Sequence, residues 1–532
     1  MKDKKKMKLK KFYFHPITAF IGLTILTVLL SGILSIFEMQ ATYAKLNVNT
    51  NQLESTLVTV ENLCNYDGAK YIISNASRNF MSFSTLGTLL IAIIGLSVAQ
   101  ASGLIDTFYR RVLSKCSNEK ITFIIIFLGT ISSLINEVGY AILIPLGAML
   151  FKANNRNPIG GIIAAFCGVA FGYGATLFVG SMEVNLISTS EQAARLIDSS
   201  FHVGLSSNLY IIIASSVILS IVGTIVVEKI IVPRLGKYKN EDKVLDKTEE
   251  LDLINIEEEE QKKLEDELRE KKGFKNAILA GLIIIVIFIY MLIPNFPGSG
   301  MLLDMNETTY LNQLFGVNSY FQDGFTFIIT IFFLVTGIAY AKGAKTLKND
   351  RELFELSTNY MIEIASLISL LFFAAQFISV FRKTNIATVV VAWIANIINA
   401  INFTGIPLIV LVVILIALVN LLATTPIAKW TILAPVIVPK LMQANISPQF
   451  SQFLLRAGDS MTKGITPILA YFVLYIGYLN IYNQDNKKPI TITQSIKLIM
   501  PYCLAISLTW IAIILIWYIT GLPIASGIYP TL

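Results

Sequence analysis

Six ionisable residues stand in stretches of this chain that are otherwise apolar: Glu137 and Glu183 in one half, and Lys429, Arg456, Asp459 and Lys463 in the other. A charge at bilayer depth costs at least about 2.5 to 3.5 kcal/mol on insertion scales, so residues of this kind mark a function by default. The cations can hold an anionic substrate, and a desolvated carboxylate can bind a cation or exchange a proton near neutral pH. Asn136, Thr176, Ser181, Asn185, Thr424, Thr425, Ser460, Thr462 and Thr466 accompany them. From this set, Asn136, Glu137, Glu183, Thr176, Asp459, Ser460 and Thr462 are the expected ion- or proton-coupling residues. Arg456 and Asp459 are three apart and share a helix face. They either neutralise each other locally or border the site, Arg456 available to an anionic substrate and Asp459 to a cation; the two readings are compatible. Trp430, next to Lys429, serves either as packing or as a stacking wall for an aromatic ligand.

The elements that position these residues are duplicated. NPIGGIIAAFCGVAFGYGATLFVG (157–180) has a faint copy in SPQFSQFLLRAGDSMTKGITPILA (447–470). Pro158 matches Pro448, Gly168 matches Gly458 and Gly174 matches Gly464, each at an offset of 290 that Pro145 and Pro435 also keep. Paired Gly/Pro-interrupted apolar segments in corresponding positions of two halves point to the binding site of a transporter.

With 54% hydrophobic residues, 14% charged residues and a mean hydropathy of +0.66, the chain is a polytopic membrane protein, since soluble domains carry about a quarter charged residues. The net charge of +7 lies largely in MKDKKKMKLKK at the start, which is a cytoplasmic topology signal before an apolar run and not a nucleic-acid patch. That run, from Ile17, is too long for a signal-peptide core of about 7 to 15 residues. Cys64, Cys116, Cys167 and Cys503 are scattered, and His15 and His202 lie far apart, so neither a disulfide framework nor a metal site is expected.

Apolar windows able to cross about 30 Å of hydrocarbon fall at 17–38, 82–108, 158–188, 208–233, 274–294, 323–343, 356–382, 452–482 and 493–520. Two more, 121–151 and 405–443, read as re-entrant hairpins. The first has Arg110, Arg111, Lys115 and Lys120 before it and Lys152 and Arg156 after it, so the positive-inside rule puts both flanks in the cytoplasm. The second breaks at Ala423–Pro426, where Pro426 removes a helix donor. The expected fold is an all-α polytopic membrane protein, an inverted-repeat transporter with nine transmembrane helices and two re-entrant hairpins. Its expected parts are a basic cytoplasmic N-terminus with the first span (1–38), an extracytoplasmic loop (39–81) and a first repeat (82–233). A charged cytoplasmic linker (234–273), two linking spans (274–343), a second repeat (356–520) and an extracytoplasmic tail (521–532) follow. The linker reads as a solvated helix held by i,i+4 pairs or as a docking helix. Val98-Ala99-Gln100 and Ala374-Ala375-Gln376 begin the two repeats in opposite orientations, an arrangement suited to alternating access.

ATTPIAKWTILAPVIVP (423–439) with SPQFSQFLLRAGDSMTKGITP (447–467) resembles the second-half signature of the AbgT family of p-aminobenzoyl-glutamate transporters. NEVGYAILIPLGAMLF (136–151) and NPIGGIIAAFCGVAFGYGATLFVGSMEV (157–184) resemble its first-half signature. The resemblance implies a homodimer in the cell membrane that imports p-aminobenzoyl-glutamate or exports sulfonamide-like antimetabolites. Carried onto matching positions, it implies functional roles for Trp430, Pro448, Arg456, Asp459 and Pro467. The chain departs from the family pattern at Ile427, at Gly174 and Thr176, at Glu137 and Glu183 where Asp is usual, and at Lys463, in a stretch where Asn is usual. Lys463 is therefore expected to occupy the space of a sodium ion or to pair with a substrate carboxylate, which would lessen dependence on sodium.

The expected function is ion-coupled secondary transport, by sodium or protons, of p-aminobenzoyl-glutamate or a related aromatic antimetabolite. Lys429, Arg456 and Lys463 would face its carboxylates, Trp430 or Tyr173 its ring, and Asp459, Thr425, Pro426, Pro448 and Pro467 would complete the binding set. Half-helix amino termini add positive dipole ends. The alternative is a dicarboxylate or peptide-fragment carrier on the same scaffold. No enzyme is expected, because the chain lacks both HExxH and a GxGD context at Asp459; a channel would show flux that never saturates. No cofactor, metal or nucleic-acid partner is expected; the partners are a small anionic substrate, the bilayer and a second copy of the chain.

Overall fold

The computed structural model describes residues 14–47, 52–135, 137–236, 238, 256–347, 349–485 and 488–532. Asn136 and most of the linker's first half, 237 and 239–255, lie outside the described residues. Helix α1 (Pro16–Ile36) is followed by an antiparallel ribbon of β1 (Gln40–Asn47) and β2 (Gln52–Thr59), with Gln40 opposite Thr59. This ribbon is a local addition to an otherwise all-helical fold. The segment expected to be an extracytoplasmic loop contains this strand pair, because alternating side chains suit it and α16 (Ile386–Ala400) supplies anchors: Trp393 Nε1 donates to the Gln40 carbonyl at 3.0 Å and Asn396 Nδ2 to that of Thr42 at 3.1 Å.

The first half continues with α2 (Tyr66–Met81), α3 (Ser84–Ala101), α4 (Leu104–Phe108) with a π turn at Tyr109–Leu113, α5 (Asn118–Ile131), α6 (Val138–Ala153), α7 (Pro158–Phe171), α8 (Ser181–Ala194), α9 (Leu209–Val226) and the short α10 (Val232–Leu235). Next come α11 (Ile256–Met291), α12 (Tyr310–Phe315) and α13 (Tyr320–Ala344). The second half holds α14 (Asp350–Glu363), α15 (Ala365–Lys383), α16 (Ile386–Ala400), α17 (Gly405–Asn420), α18 (Pro426–Gln443), α19 (Pro448–Thr462), α20 (Phe472–Ile481) and α21 (Ile492–Thr520).

Among the described residues, eight helical stretches are long and apolar enough to cross a membrane: Pro16–Ile36, Tyr66–Ala101, Asn118–Ile135, Leu209–Leu235, Leu264–Met291, Tyr320–Ala344, Ala365–Lys383 and Ile492–Thr520. The sequence windows 158–188 and 452–482 do not form single spans. The first divides into α7 and α8 around 172–180, the second into α19 and α20 around 463–471. At 1.5 Å per residue a 14-residue helix such as α7 reaches only about 21 Å, short of the hydrocarbon thickness. The window 356–382 is likewise cut at Ile364, because the charged sequence DRELFELSTNYMIE forms its own helix, α14, ahead of apolar α15. The linker's second part is continuous with α11, and Arg110 and Arg111 hold it through Glu270 at 3.0 and 3.3 Å.

These interrupted helices form the centre of the molecule. Every residue of α19 from Pro448 to Met461 is buried, as is every residue of α7 except Ile159. Helix α11 instead exposes Leu279, Leu282, Ile283 and Val286, a face suited to lipid. Close approach depends on small residues: a Cβ on Gly161 would lie 2.0 Å from the Gly147 carbonyl oxygen, so α6 and α7 touch backbone to backbone there. The tail at 521–532 is docked, Ser447 N donating to the Pro530 carbonyl at 2.8 Å at the start of α19.

Candidate functional site

The break after α7 meets the last turns of α19. Gly174 N–H donates to Ser460 Oγ at 2.7 Å, and a Cβ at Gly174 would stand 2.8 Å from both Ser460 Oγ and the Arg456 carbonyl oxygen. Only glycine lets the two interrupted segments approach this closely. Ser133 Oγ, from the turn between α5 and α6, donates to the Ala175 carbonyl at 3.0 Å, and Thr176 Oγ1 to that of Phe178 at 2.6 Å. On the other side, Thr462 and Thr466 donate to the carbonyls of Ala417 and Leu421, both at 2.7 Å. Side chains thus satisfy backbone carbonyls in the first break and at the end of α17, as interrupted backbone at membrane depth requires.

The six charged residues are assembled into three ion pairs: Arg456 with Glu183, Lys429 with Asp459, and Lys463 with Glu137 at 2.9 Å. Both members of the first two pairs are nearly inaccessible. Lys463 is fully buried, whereas the Glu137 side chain is 30% exposed. The local Arg456–Asp459 bridge considered from their spacing does not form. Although three residues apart on one helix, they point to different elements, Arg456 to the start of α8 and Asp459 to α18. Glu183 also accepts from the Gly180 N–H at 3.0 Å and so caps α8. The Lys463 ammonium sits 3.4 Å from the Tyr173 ring centroid, a cation–π contact.

Asn420, absent from the sequence expectations, ties this cluster together. Its Nδ2 donates to the Asp459 carbonyl at 2.8 Å and to Thr462 Oγ1 at 3.2 Å, and its Oδ1 accepts from Lys429 Nζ at 2.9 Å. The signal was available: an asparagine closing an apolar helix just before the 423–426 break. Ser190 was also missed. It accepts from Trp430 Nε1 at 2.9 Å and lies 2.9 Å from Gln452 Oε1. Trp430 itself is fully buried among α8 and α18 neighbours.

Lys429, Thr424 and Thr425 line a cavity of about 250 Å³, together with Arg382 and Asn385. Pro426 opens α18 beside it and is buried. Pro467 lies in the segment after Thr466, at the second break. Pro448 opens α19, about 22 Å of helix away from Lys463, and is not brought to the charged cluster. Among the described residues, no group of three or more His, Cys, Asp or Glu side chains is arranged to hold a metal ion.

The model of the AbgT putative transporter family matches residues 10–532. The chain belongs to the AbgT family of transporters. This AbgT protein is therefore a multi-pass membrane transporter and not an enzyme. It is 30% identical over 520 residues to the p-aminobenzoyl-glutamate transport protein of Escherichia coli K12, covering 97% of this chain and 94% of that one. Two solved structures are also similar in sequence. The YdaH transporter of Alcanivorax borkumensis is 29% identical, with a TM-score of 0.47 over 96% of this chain and 100% of that one. MtrF of Neisseria gonorrhoeae, from a class of antimetabolite efflux pumps, is 29% identical, with a TM-score of 0.48 over 97% of this chain and 98% of that one.

Proposed function

We propose that this AbgT protein carries p-aminobenzoyl-glutamate, or a related aromatic antimetabolite of the sulfonamide kind, by alternating access coupled to protons. The observation that carries the reading is the set of three cation–carboxylate pairs, two of them fully buried and the third partly exposed at Glu137, which is neutral as a whole. An incoming substrate carboxylate competes with Asp459 for Lys429, the one paired cation that also lines the cavity beside the 421–425 turn. A carboxylate displaced from its cation and left buried costs several kcal/mol, and taking up a proton relieves this. Each of the three carboxylates already has a fixed cation, which favours protons over sodium as the coupling ion. The relationship to the E. coli p-aminobenzoyl-glutamate transport protein supports the substrate class.

The scaffold of this reading is an inverted repeat of nine spans, two of them the interrupted pairs α7–α8 and α19–α20, with re-entrant hairpins at α5–α6 and α17–α18. The amino terminus is cytoplasmic, the carboxyl terminus extracytoplasmic, and two copies form a homodimer. One observation favours the second reading, a dicarboxylate carrier: Trp430 is packed and hydrogen-bonded, and one face of Tyr173 is covered by Lys463, so neither ring stands open to stack on an aromatic substrate. The test is purified protein in liposomes with radiolabelled p-aminobenzoyl-glutamate and separately imposed proton and sodium gradients. Uptake driven by the proton gradient alone is expected. Absence of uptake or counterflow under any gradient would reject the substrate, and uptake of small dicarboxylates in its place would establish the second reading.

A further inference from the structure

Cavities with polar residues in their walls lie at both ends of α15. Ile364 and Ser366, at its start, line a cavity of about 730 Å³ together with Gln100, Asp106 and Lys152. At its end, Arg382 and Asn385 line both the 250 Å³ cavity that reaches Lys429 and a neighbouring one of about 440 Å³ bounded by Glu61, Tyr71 and Lys383. Ser366 and Arg382 are separated by about 24 Å of helix, so the cavities open towards opposite ends of the bundle.

The charges in the second vestibule are not equivalent. Lys383 is neutralised by Glu61 at 2.7 Å. Arg382 is exposed, stands at the junction of the two cavities and has no carboxylate partner among the described residues. Its counterpart at the other end has the opposite sign. Gln100 and Gln376 are 276 residues apart, and so are Asp106 and Arg382, so the position that carries a carboxylate in one vestibule carries a guanidinium in the other. A single uncompensated cation at the neck of a cavity raises the local concentration of anions and lowers that of cations.

We propose that Arg382 is the anion-recruiting residue of this vestibule, the first group to hold a carboxylate-bearing solute before it reaches Thr425 and Lys429. The inference deepens the proposed function and rests on its view of the 421–425 turn as the site entrance. Arg382 acts by holding and steering the anion, whose final partner is the Lys429 ammonium.

The test uses the full-length protein in liposomes with Cys64→Ser and Cys116→Ser, which remove the two cysteines that are not buried, and Thr425→Cys as reporter. The reaction rates of this cysteine with an anionic and a cationic methanethiosulfonate reagent are compared in the presence of Arg382, Arg382→Gln and Arg382→Lys. Arg382→Gln is expected to lower the anionic-to-cationic rate ratio about threefold, the size of a single screened charge several ångströms away, and Arg382→Lys to preserve it. An unchanged ratio in Arg382→Gln, or an equal fall in Arg382→Lys, overturns the proposal. Uptake of p-aminobenzoyl-glutamate is measured in parallel preparations that keep Thr425, where Arg382→Gln should raise KM with kcat unchanged. A rate ratio that responds to Arg382 without any p-aminobenzoyl-glutamate uptake supports the vestibule and rejects the substrate. Uptake with an unresponsive ratio rejects the vestibule alone.

Discussion

Replacing each buried cation with methionine leaves one carboxylate without its partner, and the three structural environments rank the cost. Removing one member of a buried ion pair costs about 3–5 kcal/mol because the remaining charge is uncompensated. Lys429→Met belongs at the top of that range, about 5 kcal/mol. It strands Asp459, whose Oδ2 has no hydrogen-bond donor among the described residues, and takes a donor from Asn420 Oδ1. Arg456→Met belongs near the bottom, about 3 kcal/mol, because Glu183 keeps the Gly180 N–H. Lys463→Met should cost least, about 1 kcal/mol, as water reaches the partly exposed Glu137 and its charge is solvated. Unfolding free energies from detergent titrations of the purified variants give the order. Pairing each variant with the neutral acid (Asp459→Asn, Glu183→Gln or Glu137→Gln) closes a double-mutant cycle, and the two buried pairs should each show a coupling above about 1 kcal/mol. Additive single effects at Lys429 and Asp459, or a Lys463 variant more damaging than the Lys429 variant, would refute the reasoning.

Gly174→Ala should lower stability by about 1–3 kcal/mol through overpacking against the Arg456 carbonyl and Ser460, and should abolish uptake, whereas Gly87→Ala, which meets no neighbouring atom, should leave uptake intact; equal uptake in the two would remove the contact between the breaks from the mechanism. Lys463→Asn should introduce or strengthen sodium dependence in liposome uptake, and identical sodium dependence in both proteins would show that Lys463 does not take a cation's place. If a dianionic substrate displaces Asp459 alone and that carboxylate takes one proton, uptake carries one net negative charge inward, so an inside-negative membrane potential should slow the initial rate; a rate indifferent to the potential would exclude that stoichiometry. Ser190→Ala should cost about 1–2 kcal/mol by leaving Trp430 Nε1 and Gln452 without their shared partner, measurable as reduced thermal stability in detergent.

The sequence revealed which residues carry charge into the apolar interior, because an ionisable side chain in an apolar window is conspicuous however the chain folds. It also located the two helix interruptions, since Gly and Pro act locally on the backbone. It did not reveal the partners. Arg456 and Asp459 satisfy the spacing for a local bridge, yet their side chains leave the helix towards α8 and α18, a choice made by packing between elements distant in sequence. Asn420 and Ser190 were passed over for the same reason: each is an unremarkable polar residue at a helix end or face until the opposing helix is in place. The β ribbon escaped because its strands are short and polar, and their alternation competes poorly with the strong apolar signal of the neighbouring spans.

The placement of the three pairs bears on where exchange occurs. Arg456–Glu183 and Lys463–Glu137 join the second half to the first, and the Gly174–Ser460 hydrogen bond joins the two breaks at the same level. These contacts tie the interrupted helices into one packed body: breaking either ion pair would leave a charge without its partner, and breaking the hydrogen bond would open the contact between the two breaks. Lys429–Asp459 lies within the second half and is the only pair with a member on the cavity wall. A substrate anion arriving there can take over Lys429 without separating the halves, and Asn420, bonded to both Lys429 and the Asp459 backbone, holds the geometry while the carboxylate is displaced. On the proposed function, the exchange therefore belongs at Lys429–Asp459, and the two cross-half pairs belong to the frame that positions it.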